Sequence, residues 1–460
     1  MQVTVVGSGY VGTTLAACLA DVGHDVTAVD IDPDVVAAIN DGHAAIHEPG
    51  LDDLLAEHAG GRLHATTEYD GVPDADITFL AIGTPSREDG SIDLGPLTAA
   101  AEMTGAALAE RNTIAEGHDA VVERDDAIGG ENDPHLVVVK STITPPGVET
   151  IAEALRDGAS GGSGDMPARV ELATNPEFLR EGTAVSDFQN PDKLVFGTES
   201  SWAADRLDAL YEPLIAGRGV TTIRTDPETA MMIKYANNAA LASKISLAND
   251  LGNICKAFGI DAYEVMDAVG LDDRIGAKFL RSGVGYGGSC FPKDVDAIRA
   301  AARESGYEPM LLDATVAVND GQPERMLDLL DTHIDVAGER VAVLGLAFKP
   351  GTDDIRNSRA VPIIEGLQDR SAHVIAYDPV AAENTRERFP KIEYAPSAAD
   401  ALDGATAALV VTDWDEFAAL DGEFDAMVVP DADGAGDPVV IDGRRIIERR
   451  DGLAYEGLTW

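Results

Sequence analysis

The first thirty residues alternate between apolar runs and one amphipathic stretch. An apolar run at 3–6 is typical of a buried strand, a glycine-rich turn follows at 7–12, and a helix is predicted over 13–21. A second strand is predicted over 26–29 and ends at Asp30. In this order, the glycines permit a tight turn close to a pyrophosphate, and the helix N-terminus supplies N–H groups that bind it. The pattern predicts a Rossmann dinucleotide site; the alternative is a glycine turn that binds nothing.

The acid at the end of the second strand bears on the choice of cofactor. Asp30 is placed to accept hydrogen bonds from ribose hydroxyls and to repel a 2′-phosphate, which favours NAD over NADP. The predicted NAD contacts in this segment are Gly7, Gly9, Tyr10, Val11, Gly12 and Asp30.

Later apolar runs predict more strands and one long helix. Strands are expected at 77–82 and 136–139, and each ends in a polar, proline-bearing loop. Loops after parallel strands line the ligand crevice, so both loops are expected to lie at the site. A helical period runs from Glu228 to about Phe258. A helix of roughly eight turns is long enough to link domains or to build a dimer.

The last third of the chain repeats the outline of the first. A strand and glycine turn are predicted at 340–348, and a strand at 374–378 ends in an acid. This predicts a second Rossmann-like domain that lacks a full dinucleotide fingerprint and suits a mononucleotide.

Together these elements predict an α/β chain of three domains. We expect an NAD-binding Rossmann domain at 1–200, a central helical dimerisation domain at 201–320 and a Rossmann-like nucleotide-binding domain at 321–460. The acidic residues 113–134 are predicted to form a surface insertion, and the glycine-containing residues 158–168 a flexible loop.

The charge of the chain excludes some partners. The 460 residues include 81 acidic and 34 basic side chains, for a formal charge of −47. This argues against nucleic acids and anionic membranes as partners, because both require basic patches. The acidic residues are spread along the whole chain, which indicates a surface adapted to high salt. At low salt, self-repulsion is expected to destabilise the fold.

The sequence predicts a cytoplasmic protein without a metal. No apolar run reaches the ~18 residues of a membrane span, and the N-terminus lacks the basic segment of a signal peptide. The three cysteines, at 18, 255 and 290, form no disulfide framework and no CxxC metal pattern.

Cys290 is the strongest candidate for chemistry. It follows a glycine-rich run that starts at Gly283, and Pro292 then opens a helical pattern. The thiol is therefore expected near a helix N-terminus, with Lys293 close by, and both features stabilise a thiolate. The pattern predicts a nucleophile; the alternative is a small buried hydrophobic residue.

Other polar residues form a candidate constellation. The segment 175–182 predicts one or two helical turns with Glu177 and Glu181 on one face, suited to deprotonating water; the alternative is a solvated acidic turn. Lys234 and Asn238 share a face of the long helix and can stabilise an oxyanion. The chain has only nine lysines, and the position of some of them inside such motifs suggests roles for these; they are Lys140, Lys234, Lys293 and Lys349.

Eight motifs occur in order along nearly the whole chain. They are GSGYVG at 7–12, EPGL at 48–51, GTP at 83–85, KST at 140–142, NPEFLREG at 175–182, KYANN at 234–238, DRIGAKFLRSGVGYGGSCFPKD at 273–294 and AFKPGTDDIRNS at 347–358. With them the chain resembles the UDP-glucose/GDP-mannose dehydrogenase family, and within it the UDP-glucose dehydrogenases. Relatives that act on UDP-N-acetylmannosamine carry GGHCIP around the cysteine, which argues against that group. GDP-mannose dehydrogenases carry GGSCLPKD and are the nearest alternative.

The resemblance implies a four-electron oxidation of the sugar CH₂OH of UDP-glucose to the carboxylate of UDP-glucuronate, with two NAD⁺ and water. Cys290 would add to C6, and the thiohemiacetal would be oxidised to a thioester that is then hydrolysed. Lys234 matches the family lysine that stabilises the oxyanion or exchanges protons. Asn238 and Asp294 would order the oxygen or water, and Glu177 would serve as general acid or base.

The resemblance also implies the remaining contacts. For the cofactor they are Gly83, Thr84, Pro85, Ser141, Thr142, Glu181, Cys290, Lys293 and Arg356; Thr142 would hold either water or cofactor and so counts as catalytic too. For the nucleotide-sugar they are Glu177, Phe178, Leu179, Arg180, Glu181, Lys234, Asn238, Arg274, Arg281, Ser282, Val284, Gly285, Tyr286, Gly287, Phe348, Lys349 and Arg444. Arg274 would reach the active site of the partner in a homodimer, and Arg444 is preferred to Arg445 as the second substrate arginine.

Two positions depart from the family pattern. Many members carry Arg or Lys five residues after the ribose-binding acid, where this chain has Val35. NAD binding is therefore expected to rest more on Asp30 and the backbone. Arg281 replaces a lysine of some members, which keeps the charge and changes its geometry.

Two other classes of function remain open from the sequence. A two-electron dehydrogenase of the β-hydroxyacid type also joins a Rossmann domain to a helical domain, but it has no use for Cys290 or for a second Rossmann-like domain. A non-catalytic nucleotide-sugar sensor would be suggested by loss of the thiol or of Lys234, and both are present. The sugar, the base and the pathway stay undetermined.

Overall fold

The computed structural model describes residues 1–115, 134–160, 170–429 and 437–460. The predicted acidic insertion at 113–134 lies outside the described residues except at its two ends. Two compact units divide the chain, Met1–Ala236 and Asn237–Trp460. Among the described helices, none is both long enough and apolar enough to cross a membrane.

The first unit is built on an eight-stranded sheet. Its strands are β1 Gln2–Val6, β2 Asp25–Val29, β3 Leu63–Thr66, β4 Ile77–Leu80, β5 His135–Val139, β6 Val170–Thr174, β7 Lys193–Gly197 and β8 Thr221–Thr225. Their order is β3-β2-β1-β4-β5-β6-β7-β8, and every neighbouring pair is parallel except β6 and β7. The first six strands have the Rossmann order, as the sequence predicted.

The central strands are apolar because helices cover both faces of the sheet. All residues of β4 and β5 are buried, and in register Val3 pairs with Val26 on one side and Ile77 on the other. The helices of this unit are α1 Tyr10–Asp21, α2 Pro33–Asn40, α3 Leu51–His58, α4 Gly95–Ala115, α5 Gly147–Ser160, α6 Ala184–Gln189 and α7 Ser201–Ile215, with a 3₁₀ turn at Val72–Asp74.

Helix α8, Pro227–Ala257, confirms the long helix predicted from Glu228 to about Phe258. Its first turns belong to the first unit and the rest to the second. The helices that follow are α9 Ala262–Gly270, α10 Phe291–Glu304 and α11 Met310–Asp331. Pro292 lies in the first turn of α10, as predicted.

The second unit also contains a six-stranded parallel sheet. Its strands are β9 Arg340–Leu344, β10 His373–Tyr377, β11 Glu393–Tyr394, β12 Ala407–Val410, β13 Val439–Asp442 and β14 Ala454–Gly457. The order β11-β10-β9-β12-β13-β14 repeats the Rossmann order and confirms the second Rossmann-like domain. Around it lie α12 Ala360–Asp369, α13 Ala382–Arg388, α14 Ala398–Leu402, α15 Asp415–Ala418 and a 3₁₀ turn at Gly422–Ala426.

Both Rossmann sheets close their first turn in the same way. Asp30, after β2, accepts a hydrogen bond from Ser8 N at 2.6 Å. Asp378, after β10, accepts one from Leu346 N at 2.7 Å. In each case the carboxylate at the end of the second strand holds the turn that follows the first. The internal repeat read from the sequence therefore extends to the hydrogen bonds of the turn.

The prediction of helical turns at 175–182 is wrong. These residues form an irregular segment, and α6 begins only at Ala184. The Glu177 carboxylate accepts a hydrogen bond from Leu179 N at 2.6 Å, and Arg180 N donates to Asp187 at 2.9 Å. These partners use the N–H groups that a helix would need, so the local helix-start signals are overridden.

Two boundaries differ from those that the sequence indicated. The first sheet takes its eighth strand from β8, which lies beyond residue 200; the domain limits themselves stay a prediction. Residues 158–160, expected to open a flexible loop, form the last turn of α5, and 161–168 lie outside the described residues.

Helices α4 and α5 approach so closely that a methyl group does not fit between them. A Cβ added at Gly158 would overlap the Glu102 carbonyl oxygen, and one added at Gly105 would overlap that of Leu155. The two glycines therefore set the spacing of these helices.

We expect Gly158→Ala to lower the free energy of unfolding by about 1–3 kcal/mol, because the helix backbones must separate. Denaturant unfolding in molar KCl measures the change. Gly321→Ala is the matched control, since Gly321 lies inside α11 with open space around it. Equal effects of the two substitutions would contradict the close packing.

Candidate active site

The turn between β1 and α1 is closed on one side and open on the other. Gly7 has φ +93°, and a Cβ there would lie 2.8 Å from Ala81 O. A Cβ at Gly12 would overlap Gly7 O, whereas one at Gly9 would meet nothing within 4 Å. Gly9 is the N-cap residue of α1 and has no side chain that could bind the first N–H groups of the helix. The helix N-terminus is thus accessible from the side of Gly9, where an anion can approach.

The polar groups of this turn fit the pyrophosphate and ribose of NAD. Ser8 Oγ is buried and has no hydrogen-bond partner among the described residues, so a phosphate oxygen would satisfy it. The Asp30 carboxylate accepts from Ser8 N at 2.6 Å and from Asp32 N at 3.0 Å. Each of its oxygens keeps a lone pair for a ribose hydroxyl.

A buried carboxylate joins this turn to a distant segment. Glu48, only 6% exposed, accepts a hydrogen bond from the Tyr10 hydroxyl in the first turn of α1. It also accepts from Gly182 N and Ala184 N, each at 2.7 Å. Burial, followed by the Glu48 carboxylate, raises the pKa of Tyr10. Tyr10 therefore remains a neutral donor and fixes the start of α1 against residues 182–184.

The loops after β4 and β5 meet, as expected for neighbouring parallel strands. Thr84 Oγ1 donates to Thr142 O at 3.0 Å, and Ser141 Oγ donates to Ile82 O at 2.7 Å. The predicted residues 83–85 and 141–142 thus form one edge of the sheet, on the side where α1 begins.

Glu177 and Lys234 form a buried ion pair within the first unit. Lys234 Nζ donates to Glu177 Oε1 at 2.7 Å, and the two residues are 3% and 7% exposed respectively. The Phe178 ring lies 5.6 Å from Lys234 Nζ and 4.1 Å from Lys193 Nζ. Arg180 turns away into an ion pair with Asp187, and Leu179 packs on the core. The pair places a carboxylate and an ammonium in hydrogen-bond contact at low exposure, which suits proton exchange.

In the second unit, Cys290 is the N-cap of α10, and its side chain is exposed. This excludes the interpretation of a buried hydrophobic residue. Cys18 provides the contrast, because burial raises the pKa of its thiol to about 12. The Ser289 hydroxyl lies 3.6 Å from the Cys290 sulfur. The helix dipole at this position favours a thiolate.

A second buried carboxylate lies one turn after the thiol. Asp294, 2% exposed, accepts from Asn238 Nδ2 and from Lys293 Nζ, each at 2.7 Å. Its own N–H donates to Cys290 O at 2.9 Å. Asn238 and Asp294, predicted to act together, are therefore in direct contact, and the Lys293 ammonium pairs with the Asp294 carboxylate.

The glycines before Cys290 pack against the protein itself. Added Cβ atoms at Gly283 and Gly285 would lie 2.5 Å from Gly443 O and Asn319 Oδ1, and one at Gly287 would overlap Asn357 O. Close packing thus requires these glycines, in addition to any approach to a ligand.

Three asparagine side chains hold this segment in place. Gly283 N donates to Asn249 Oδ1 and Tyr286 N donates to Asn319 Oδ1, both at 2.7 Å. Asn357 Nδ2 donates to Gly288 O at 3.1 Å. The sequence analysis did not identify these asparagines, because their partners are 33 to 69 residues away along the chain.

The predicted substrate residues of the second unit lie at different distances from this segment. Phe348 contacts it, since a Cβ at Gly288 would lie 2.8 Å from the ring. Arg444 is also near, 3.8 Å from a Cβ at Gly283, and donates to Val411 O at 2.7 Å. Arg445 instead pairs with Asp261 at 2.6 Å. Of the two arginines, Arg444 is the one beside the glycine segment.

Other predicted residues of this unit are distributed as follows. Ser282 Oγ lies 2.7 Å from Thr459 Oγ1, Val284 is fully buried, and Lys349 lies 5.4 Å above the Phe348 ring. Arg281, Arg274 and Arg356 form ion pairs with Asp267, Asp272 and Asp354, and their side chains are 60%, 87% and 64% exposed. These three arginines extend from the surface.

Three family models match the chain in the order of its domains. The NAD binding domain of the UDP-glucose/GDP-mannose dehydrogenase family matches residues 1–215, its central domain 228–321 and its UDP binding domain 342–449. The chain belongs to the UDP-glucose/GDP-mannose dehydrogenase family. Its membership confirms the predicted fold class and NAD as the cofactor.

Similar proteins include both kinds of enzyme in the family name. UDP-glucose 6-dehydrogenase AglM of Haloferax volcanii is 56% identical over 461 residues and covers 100% of both chains. The structure of a UDP-glucose dehydrogenase from Pyrobaculum islandicum is 35% identical with a TM-score of 0.87, covering 100% of this chain and 98% of that one. A GDP-mannose dehydrogenase structure from Pseudomonas aeruginosa is 30% identical over 100% of both chains, with a TM-score of 0.52.

Glu48 is a residue of this family member whose role sequence reasoning missed. Its motif EPGL was noted only as part of the resemblance. A carboxylate before a proline carries no local sign that three donors from residues 10, 182 and 184 converge on it. The low exposure of Glu48 identifies it once the fold is known, because a buried carboxylate requires such donors.

We expect Glu48→Ala to lower the free energy of unfolding by about 2–3 kcal/mol, because the buried Ala184 N loses its acceptor and the part-buried Tyr10 hydroxyl and Gly182 N each lose one. NAD affinity should fall as well, since the start of α1 is no longer fixed. Denaturant unfolding and NAD titration measure the two effects. The control, Glu57→Ala, removes an exposed glutamate of α3 and should change stability by less than about 0.5 kcal/mol. An unchanged stability of Glu48→Ala would refute the bridging role.

Proposed function

We propose that this protein oxidises C6 of UDP-glucose to the carboxylate of UDP-glucuronate. The overall reaction converts the alcohol, two NAD⁺ and one water into the carboxylate, two NADH and three protons. The exposed Cys290 thiol at the N-terminus of α10 carries the proposal, because a two-electron alcohol oxidation needs no nucleophilic sulfur. The name of the Haloferax volcanii relative supports the choice of sugar nucleotide.

The first half of the reaction needs a group that holds the hydroxyl oxygen and takes its proton. NAD, when bound, accepts the hydride that leaves C6 in each oxidation. Lys234 supplies the proton-exchanging nitrogen, and its contact with Glu177 gives the proton a neighbouring acceptor. Asn238 lies one helical turn after Lys234 on α8, so the two side chains project from the same face. Both are assigned to the oxygen on C6.

The second half passes through the sulfur. Cys290 Sγ adds to the aldehyde carbon and forms a C–S bond, and loss of the second hydride turns the thiohemiacetal into a thioester. Water then attacks the thioester carbon, Glu177 accepts a proton from that water, and the C–S bond breaks to release a thiolate. The helix N-terminus stabilises this leaving thiolate. Asp294, held by Asn238 and Lys293, keeps the first turn of α10 in place.

We also propose that the protein acts as a homodimer. Leu247, Leu251, Ile254 and Phe258 are 54%, 37%, 44% and 73% exposed, and they recur at the spacing of one helix face along α8 and the residue after it. An exposed apolar stripe of this kind marks an interaction surface, and a second copy of the chain would cover it in high salt, where repulsion between the copies is screened. Arg274, whose side chain is 87% exposed, is assigned to the partner's active site.

The charge and the cofactor of the enzyme bear on its compartment and on the salt concentration in which it works. We propose that it works in the cytoplasm, where NAD is available, at high salt concentration. A formal charge of −47 spread along the chain favours a medium in which self-repulsion is screened within a few ångströms, about 3 Å at 1 M salt.

We expect wild-type enzyme to form two NADH per UDP-glucose in molar KCl, and Cys290→Ser to lose net turnover while it still binds the sugar nucleotide. Serine removes the thiolate that must carry the acyl group. NADH formation against limiting UDP-glucose gives the ratio. Cys255→Ser is the control and should keep the wild-type ratio. One NADH per sugar in the wild type, or full activity of Cys290→Ser, would refute the mechanism.

We expect the double substitution Leu251→Asp and Ile254→Asp to convert the dimer to a monomer, because two carboxylates would be buried at the centre of the interface. Light scattering after size-exclusion chromatography in molar KCl reports the mass. Met103→Asp places a charge at an apolar residue of α4 that is 48% exposed and should leave the dimer intact. A monomeric wild type, or a dimeric double variant, would contradict the proposed interface.

A further inference from the structure

Lys140 is a buried cation to which the proposed mechanism gives no task. It follows β5, is 5% exposed, and donates through Nζ to Asn175 Oδ1 at 2.9 Å. The same oxygen accepts the Tyr211 hydroxyl at 2.6 Å, while Asn175 Nδ2 donates to Val195 O at 2.9 Å. The hydrogen bonds to Asn175 thus fix the ammonium, and the acceptor of its hydrogen bond is a neutral amide oxygen.

The charged groups that face Lys140 are those of the proposed proton exchange. Glu177 lies on the segment after β6 and Lys234 on α8, and both interact electrostatically with Lys140. Tyr211 on α7 faces it from the third side, with its ring 5.9 Å from Nζ, and burial raises the pKa of that hydroxyl. Two ammonium groups and one carboxylate therefore share a buried region.

Burial among these neighbouring charges brings the pKa of Lys140 down towards neutral pH. Burial lowers the pKa of Lys140 from 10.5 to about 8; the Glu177 carboxylate opposes this change and the Lys234 ammonium adds to it. Because electrostatic coupling between two groups is mutual, a positive charge on Lys140 also disfavours a positive charge on Lys234.

We propose that Lys140 is a positioning residue that acts through its charge, easing the release of the proton from Lys234 beside Glu177. This rests on the proposed function, in which Lys234 exchanges a proton with the C6 hydroxyl. The ammonium of Lys140 disfavours a second ammonium nearby, and it attracts the carboxylate of Glu177. The purely structural alternative is that Lys140 only completes the hydrogen bonds of Asn175.

Lys140→Met in the full-length protein separates these possibilities. With the neighbouring charge removed, Lys234 should hold its proton more firmly, so the limb of the kcat/KM profile that Lys234 controls should move to higher pH by about one unit. The direction is the same whether the amine or the ammonium is the active form. The profile is measured with UDP-glucose and NAD⁺ in molar KCl.

Tyr211→Phe is the matched control. This substitution removes the other donor to Asn175 Oδ1 without changing the charge. The limb of its kcat/KM profile that Lys234 controls should therefore stay at the wild-type pH. A uniform loss of activity in Lys140→Met, with both limbs at their wild-type pH, would overturn the proposal and leave Lys140 a structural residue. If Lys140→Met does not fold, Lys140→Gln serves in its place, because the amide can still donate to Asn175.

Stability provides a second readout that needs no substrate. The folded protein binds fewer protons than the unfolded chain between pH 8 and 10.5, since the pKa of Lys140 is lowered from 10.5 to about 8. The free energy of unfolding of the wild type should therefore rise relative to Lys140→Met as the pH increases through this window.

The two readouts distinguish failure of the inference from failure of the proposed function. A difference in unfolding free energy between wild type and Lys140→Met that does not change with pH would refute the lowered pKa of Lys140. A stability difference that rises with pH, together with an unshifted kcat/KM profile, would overturn only its action on Lys234. Absence of UDP-glucose oxidation in the wild type would refute the proposed function, and with it the catalytic part of this inference.

Discussion

Buried carboxylates are stable in this fold only because several donors surround each of them, and the functional segments are placed by those donors. Glu48 holds the start of α1 to residues 182–184, and Asp294 holds Asn238 and Lys293 at α10. Asp442, the last residue of β13, accepts from four consecutive backbone N–H groups at 444–447 and so shapes the loop that carries Arg444. In a chain with so many solvated acids, these few buried ones determine the geometry.

The buried cations follow the same requirement. Lysine is rare in the chain, and three lysines in the motifs have buried or half-buried ammonium groups next to polar partners. Lys234 pairs with Glu177, Lys293 with Asp294, and Lys140 with Asn175. An arginine at such positions would present a wider, planar group that does not release its proton. The proposed proton exchange therefore favours lysine at position 234, whereas Arg274, Arg281 and Arg356 lie at the surface.

The sequence predicted those parts of the fold that depend on periodicity and local turns. The strands around both Rossmann turns and the extent of α8 follow from apolar runs and helical spacing. The helix predicted at 175–182 failed because Glu177 and Arg180 find partners that a local pattern does not reveal. The role of Glu48 was missed for the same reason. Residue types identified the chemistry, whereas contacts between distant segments decided the geometry.

The central claim is that Cys290 carries the sugar as an acyl group between the second oxidation and hydrolysis. Glu177→Gln should slow the hydrolysis, because the group that takes the proton from water is lost. Intact-protein mass spectrometry of this variant, quenched in acid after mixing with UDP-glucose and NAD⁺, should show one added UDP-glucuronyl group that peptide mapping places on Cys290. Oxidation that runs to the carboxylate without any such adduct on the sulfur would contradict the claim.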